Sequence, residues 1–230
     1  RLSPPTLDHI FGTDQLGRDL FYRVMLGART SISIAVSAVL LSLIIGLPMG
    51  LISGFFRGTV DNILMRLVDT LLSFPALLLA LTISAVLGPN FINTILAIGI
   101  AFTPYLARLI RGEALRVSQM PYVEAARSAG ANNIRIIVGH ILPNITPVII
   151  VQFTISLAFA ILAEAGLSFL GLGTQPPEAS WGLMIQASRD YLDRAPWTAL
   201  VPGIAVAVTV LGLNMFGDVL RDVLDPRSKT

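Results

Sequence analysis

Between Arg29 and Arg57 the chain runs for 27 residues, Thr30 to Phe56, without one charged side chain. A helix rising 1.5 Å per residue needs only about 20 residues to cross a hydrocarbon layer about 30 Å thick, so this block is long enough to span a bilayer. Its 13 Leu, Ile, Val and Phe residues between Thr30 and Phe55 contribute about −4 to −8 kcal/mol of insertion preference at roughly −0.3 to −0.6 each. Pro48, beside glycines, bends such a helix without preventing its insertion.

The pattern recurs. Thr70 to Ala107 is a second uncharged stretch of 38 residues, interrupted by Gly88-Pro89-Asn90, a turn sequence that divides it into two spans joined by a tight hairpin. Further apolar blocks cover Asn144 to Leu170 and Ala195 to Gly217. The expected fold class is therefore an all-α integral membrane protein. Five transmembrane helices are expected at about 30–56, 67–87, 91–110, 144–170 and 195–217, within a membrane domain over 30–218. Residues 1–29 form an extracytoplasmic or interfacial segment, 111–143 and 171–194 are long loops, and 219–230 is a cytoplasmic tail. Composition agrees: 13% of residues are charged, where a soluble domain carries about a quarter.

Other classes fall away. The absence of cysteine excludes disulfide frameworks and thiolate chemistry, and two separated histidines do not suggest a metal cluster. A pI near 9.4 invites a nucleic-acid reading, but the net charge is only +2 and the arginines flank apolar blocks rather than forming a basic stripe.

Those arginines report sidedness, because positive residues are retained on the cytoplasmic face. With the carboxyl terminus inside, the inner segments hold Arg57, Arg66, Arg108, Arg111, Arg116, Arg127, Arg135, Arg221, Arg227 and Lys229, and the outer ones hold Arg1, Arg18, Arg23, Arg29, Arg189 and Arg194. An amino-terminal segment placed outside requires an export signal or an earlier span. One upstream helix is expected, making six.

The connector from Arg111 to Pro143 exceeds 30 residues, where helix connections usually take 2 to 8. Pro121 suits a first helical turn, Glu124 complements the dipole at that end, and Gly130 supplies a left-handed stop. Asn132 or Asn133 then caps a second short helix. Ala125, Ala126 and Ala129, flanked by Tyr122 and Val123, leave a low-relief surface that fits another protein's groove. A solvated hairpin at the membrane surface is the plainer reading of the same residues.

Glu124-Ala125-Ala126, Gly130 four residues later, and Leu142-Pro143 resemble the EAA-type motif of ATP-binding-cassette importer permeases; His140 stands where that family places Ile. Phe11-Gly12-Thr13-Asp14-Gln15-Leu16-Gly17-Arg18-Asp19, Gly171 to Pro177 with Ser180-Trp181-Gly182, and Asp218 to Pro226 resemble the dipeptide, oligopeptide and nickel branch. The resemblance implies that Tyr122, Val123, Glu124, Ala125, Ala126, Arg127, Ala129, Gly130, Leu142 and Pro143 belong to a cytoplasmic coupling helix and its flank. It also implies a bacterial or archaeal inner-membrane location, two ATPase subunits, a second homologous permease and an extracytoplasmic binding protein that delivers a substrate. Peptide is expected, with nickel or another small solute as the alternative within the branch, and an ion-coupled secondary transporter as the rival of another class.

No Gly-Lys-Ser or Gly-Lys-Thr phosphate loop occurs and Lys229 is the only lysine, so the chain builds no Walker-type nucleotide site. The expectation is a non-catalytic subunit with no cofactor of its own, ATP and magnesium being held by the partners. Within the spans, Asp69 is expected to pair with Arg66 one turn away. Glu164, near the outer end of the fourth span, is the candidate for a substrate-pathway residue or for a contact with water or neighbouring backbone. Trp181 and Trp197 are expected as interface anchors.

Overall fold

The computed structural model describes residues 1–224, whose regular structure is helical apart from one isolated bridge between Thr13 and Asp19. The helices are α1 (Leu20–Phe56), α2 (Gly58–Leu72), α3 (Ala76–Leu87), α4 (Phe91–Val117), α5 (Pro121–Ser128), α6 (Asn133–Ile136), α7 (Leu142–Phe169), α8 (Trp181–Ser188) and α9 (Trp197–Leu224). A π turn, Ile137–Ile141, joins α6 to α7. Helices α1, α4, α9 and the continuous run from Asn133 to Phe169 are each long and apolar enough to cross a bilayer. The tail residues Asp225 to Thr230, including Arg227 and Lys229, lie outside the described residues.

Helix α1 starts ten residues before the uncharged block. Asp19 caps it by accepting the Tyr22 N–H at 3.2 Å, and the first turns carry Arg23 and Arg29 past the apolar region. Charge marks where lipid begins; the cap marks where the helix begins. Before the cap, residues 1–19 are tied into a compact turn: the Asp14 carboxylate accepts the Leu16 and Arg18 N–H groups at 2.8 Å and the Arg18 Nε at 2.6 Å. His9 Nδ1 lies 2.8 Å from Asp19. That hydrogen bond, with the Tyr22 N–H, holds the Asp19 carboxyl below its ordinary range.

The stretch expected as one span over 67–87 is not a single helix. Pro75 ends the run: it stands at φ −55°, ψ 130°, and Pro both lacks an N–H and forces its predecessor out of helical geometry. Helices α2 and α3 meet there at 86° and reach spanning length only as a bent pair. Alone, the 12 residues of α3 extend about 18 Å, short of the hydrocarbon thickness. At its other end α2 is set off from α1 by two consecutive left-handed residues, Arg57 at φ +51° and Gly58 at φ +65°.

Helix α2 is then clamped to α4 by ion pairs. Asp61 accepts the Arg111 Nε and Nη2, each at 2.6 Å, and also the Ser53 hydroxyl. Asp69, expected to pair with Arg66, instead pairs with Arg108. Helix α2 packs against α4, which brings the Arg108 guanidinium to Asp69.

The tightest seam in the bundle is between α1 and α4. Gly46, Gly50 and Gly54 recur at every fourth position of α1, the small-residue spacing that lets membrane helices approach backbone to backbone. A Cβ at Gly50 would sit 2.6 Å from the Ala107 carbonyl oxygen and 2.7 Å from Ile110 Cβ. At Gly54 it would sit 2.7 Å from the Arg111 carbonyl oxygen. Around this seam two apolar cores form. One, at the Leu20 end of α1, gathers Leu20, Ile34, Ile98, Ile161, Leu167 and Trp181. The other, at the Phe56 end, gathers Leu51, Phe55, Ile110, Val117, Ile141 and Ile145.

Trp181 is not an interface anchor. It is 3% exposed, and its Nε1 donates to the Val24 carbonyl at 3.1 Å. Gly27 of α1 makes room for it: a Cβ there would come within 3.2 Å of the indole. Trp197 likewise packs against the Leu20-end core with its Nε1 buried.

The seam yields a paired test. Gly50→Ala should destabilise the folded chain by about 1–3 kcal/mol through overpacking against backbone. Gly112→Ala, on an open helical surface with nothing within 4 Å, should be neutral or stabilising by up to about 1 kcal/mol. Unfolding midpoints in detergent titrations check both, and equal midpoints for the two variants contradict the packing argument.

Candidate functional site

Helix α5 forms where the residue order favours it. Pro121 occupies its first turn, Glu124 lies in that turn and Arg127 in the last, so both charges complement the helix dipole. The helix closes through a Schellman arrangement: Gly130 N–H donates to Arg127 O at 3.0 Å and Ala131 N–H to Ala126 O at 3.1 Å, with Gly130 at φ +82°. Asn132 then caps α6 by accepting the Arg135 N–H at 2.8 Å. Nothing lies within 4 Å of a Cβ at Gly130, so its requirement is for the left-handed backbone and not for space.

Only one side chain of α5 is fully buried. Val123, 0% exposed, belongs to the Phe56-end core with Phe55 of α1, Val117 of α4, Ile136 of α6 and Ile145 of α7. The Arg127 guanidinium lies 5.5 Å from the centroid of the Phe55 ring, a cation–π contact that fastens the other end of the short helix to α1. Tyr122, Glu124, Ala125, Ala129 and Gly130 are exposed, and Ala126 is half-buried. The seat thus joins three long helices beneath a helix whose opposite face is small and open.

The expected second short helix does not end as an isolated hairpin. Helix α6 runs through the π turn straight into α7. Pro143 withdraws the N–H that Gly139 would bind and crowds that carbonyl. The chain widens there, and the Leu142 N–H reaches Ile137 O. Leu142 and Pro143 accordingly stand at the junction of π and α geometry, Leu142 packed on the core and Pro143 exposed. His140 is half-buried, its ring centroid 6.5 Å from that of Tyr122.

Glu164 lies at the other end of the bundle. It is 0% exposed, and its hydrogen-bond partners are serine hydroxyls, where the sequence offers water or neighbouring backbone. It accepts the Ser31 hydroxyl of α1 at 2.8 Å and the Ser168 hydroxyl of α7 at 2.7 Å. The Ser180 hydroxyl lies beside it as well. Glu164 is fully enclosed and separate from the α5 surface. Glu178, Asp190, Asp193 and Arg194, in the stretch 171–194, are exposed.

Sequence reasoning missed three contributors: the Asp61–Arg111 clamp, the role of Val123 as the buried key of α5, and the serines around Glu164. The clamp had a signal in two opposite charges bordering apolar blocks. The serines had none, since isolated hydroxyls in an apolar helix usually satisfy their own backbone.

Residues 46–230 match the family described as binding-protein-dependent transport system inner membrane component. Over 230 residues the chain is 45% identical to the dipeptide transport system permease protein of Alkalihalophilus pseudofirmus, covering 100% of this chain and 76% of that one. It is 46% identical to the di/tripeptide transport system permease protein of Pseudomonas aeruginosa, covering 96% and 73%. It is 42% identical to the glutathione transport system permease protein of Pectobacterium atrosepticum, covering 98% and 75%. Among solved structures, an inward-facing conformation of the MetNI methionine ABC transporter superposes with a TM-score of 0.74 over 90% of this chain and 98% of that chain, at 17% identity. That likeness is one of fold.

Gly130 offers a direct check on the local geometry. Gly130→Val should destabilise the α5 terminus by about 1–2 kcal/mol, and Gly130→Asn by less, because Asn tolerates left-handed backbone. Amide hydrogen exchange over residues 121–131 reads this: faster exchange in the Val variant than in the Asn variant is expected, and indistinguishable rates contradict it.

Proposed function

Because the chain belongs to the family of binding-protein-dependent transport system inner membrane components, we propose that it conducts small peptides across the cytoplasmic membrane as one of two permease subunits, driven by ATP hydrolysis in separate partners. The relatives named for dipeptides, di- and tripeptides and glutathione support a short peptide as the substrate class. The partners are a second homologous permease, two ATPase subunits holding ATP and magnesium, and an extracytoplasmic binding protein. Helix α5 faces the cytosol with the carboxyl terminus on the same side.

The observation that carries this reading is the two-sided build of α5. Its open face presents Glu124, Ala125 and Ala129 to a partner's cleft, and its one buried residue, Val123, is packed among α1, α4, α6 and α7. A push on the open face therefore reaches the spans through close-packed side chains, which transmit displacement instead of absorbing it. Gly130 fixes where the helix stops, and Arg127 over Phe55 resists sliding. The Asp61–Arg111 and Asp69–Arg108 pairs link the bent α2–α3 pair to α4, so the same movement carries that pair along.

Ala125→Trp tests the proposal without touching the fold, because Ala125 is exposed. With the assembled importer in sealed vesicles, ATP-dependent dipeptide uptake should fall by about tenfold or more, the loss expected when a bulky side chain blocks a well-packed interface centre. Membrane insertion and the unfolding midpoint should match the parent. Uptake at the parent's rate would refute the docking role of this face.

A further inference from the structure

The segment Leu172–Trp181 returns from the end of α7 to the start of α8 and is held down by three serines from three helices, each 0% exposed. Ser84 of α3 donates to the Leu172 carbonyl. Ser168 of α7 accepts the Thr174 N–H at 3.2 Å, and Ser31 of α1 accepts the Trp181 N–H at 3.2 Å. A serine hydroxyl has one proton to give and two lone pairs to receive with. Ser31 and Ser168 both give that proton to the same carboxylate, Glu164, which leaves their lone pairs turned to the segment.

That arrangement departs from the local bonding of many hydroxyls in these helices. Thr30, Thr82, Thr94 and Thr103 each donate to the carbonyl one turn back, the ordinary local solution in an apolar helix. Glu164 draws Ser31 and Ser168 out of it. We infer that Glu164 is the positioning residue of a latch: by orienting the Ser31 and Ser168 hydroxyls, it holds the segment Leu172–Trp181 closed over the Leu20 end of α1 and α7.

The segment is built to lift as a piece. Gly173 and Gly182 lie so close to Ser168 and Ala165 that neither position admits a side chain without displacement, so the fit is lost in one step when either end moves. The Thr174 hydroxyl is buried without a hydrogen-bond partner, and wetting it on opening offsets part of the cost of breaking the backbone ties. The inference rests on the importer reading for its purpose, since alternating access requires this end to open and close. The contacts themselves do not depend on it.

The chain has no cysteine, which makes a clean labelling background. Ala179→Cys places a thiol at a position 5% exposed within the segment, and Glu178→Cys places one at an exposed neighbour. In the importer reconstituted in nanodiscs, where maleimide reaches both faces, adding Glu164→Ala should raise labelling of A179C by about tenfold and leave that of E178C unchanged. Unaltered protection of A179C overturns the latch. Should E164A not insert, Glu164→Gln keeps the volume and one acceptor oxygen, so one serine loses its acceptor. A rise of about threefold is expected there, and no rise overturns the assignment. Uptake read in parallel separates the two conclusions: in E164A, ATP hydrolysis should persist while uptake falls. Labelling that rises in a chain supporting no uptake with any partner would preserve the latch and sink the importer reading.

Discussion

Two backbones in contact, α1 against α4, set the terms for the rest of the molecule. Lipid tails offer no hydrophobic incentive for one apolar helix to leave them for another, so association relies on close van der Waals approach. Three glycines one turn apart supply it. Because Phe55 and Val117 are the end points of that seam, they meet as a single platform, and Val123 of α5 is seated on it. A looser pair would present two separate helix ends, and a short helix resting on them would register neither.

The two ends of the bundle solve the problem of buried polarity differently. At the Phe56 end the buried Asp61 carboxylate meets the Arg111 guanidinium, an internally neutral pair that joins α2 to α4, while Asp69 and Arg108 pair at the exposed surface. At the Leu20 end, inside the bundle, the Glu164 carboxylate meets only hydroxyls, which orient toward it without carrying charge. Ion pairs suit a junction that must stay joined while the helices move together, since parting them strands two charges. Hydroxyl contacts are individually weaker and reorient by rotating one bond, which suits a junction that must let go.

Much of this was legible in the residue order, and the limits have identifiable causes. The α5 stop at Gly130 and a cap at one of Asn132 and Asn133 follow from backbone preferences acting over four residues, and the fold has the stop at Gly130 and the cap at Asn132. The break at Pro75 was hidden inside an unbroken apolar run, because hydropathy is blind to a change of direction. Asp69 chose Arg108 over Arg66 because partner choice depends on the angle between helices, which spacing along one helix does not contain. Glu164 stood out in the sequence as an acid within an apolar helix. Its partners, Ser31 at a separation of 133 residues and the segment beyond Ser168, became visible only when the fold brought them together.

The π turn between α6 and α7 explains the one residue that breaks the pattern of its neighbourhood. Buried positions along this run fall at Ile136, Ile141, Ile145 and Ile149, spaced by five, then four, then four. An unbroken α-helix, repeating near four, would bring residue 140 inward. The additional residue in the wider turn rotates the phase by one position, delivering Ile141 to the interior and leaving His140 beside Tyr122 at the rim. A histidine at that point is therefore an accommodated polar residue, and aligning this helix by periodicity alone would assign its two halves to inconsistent faces.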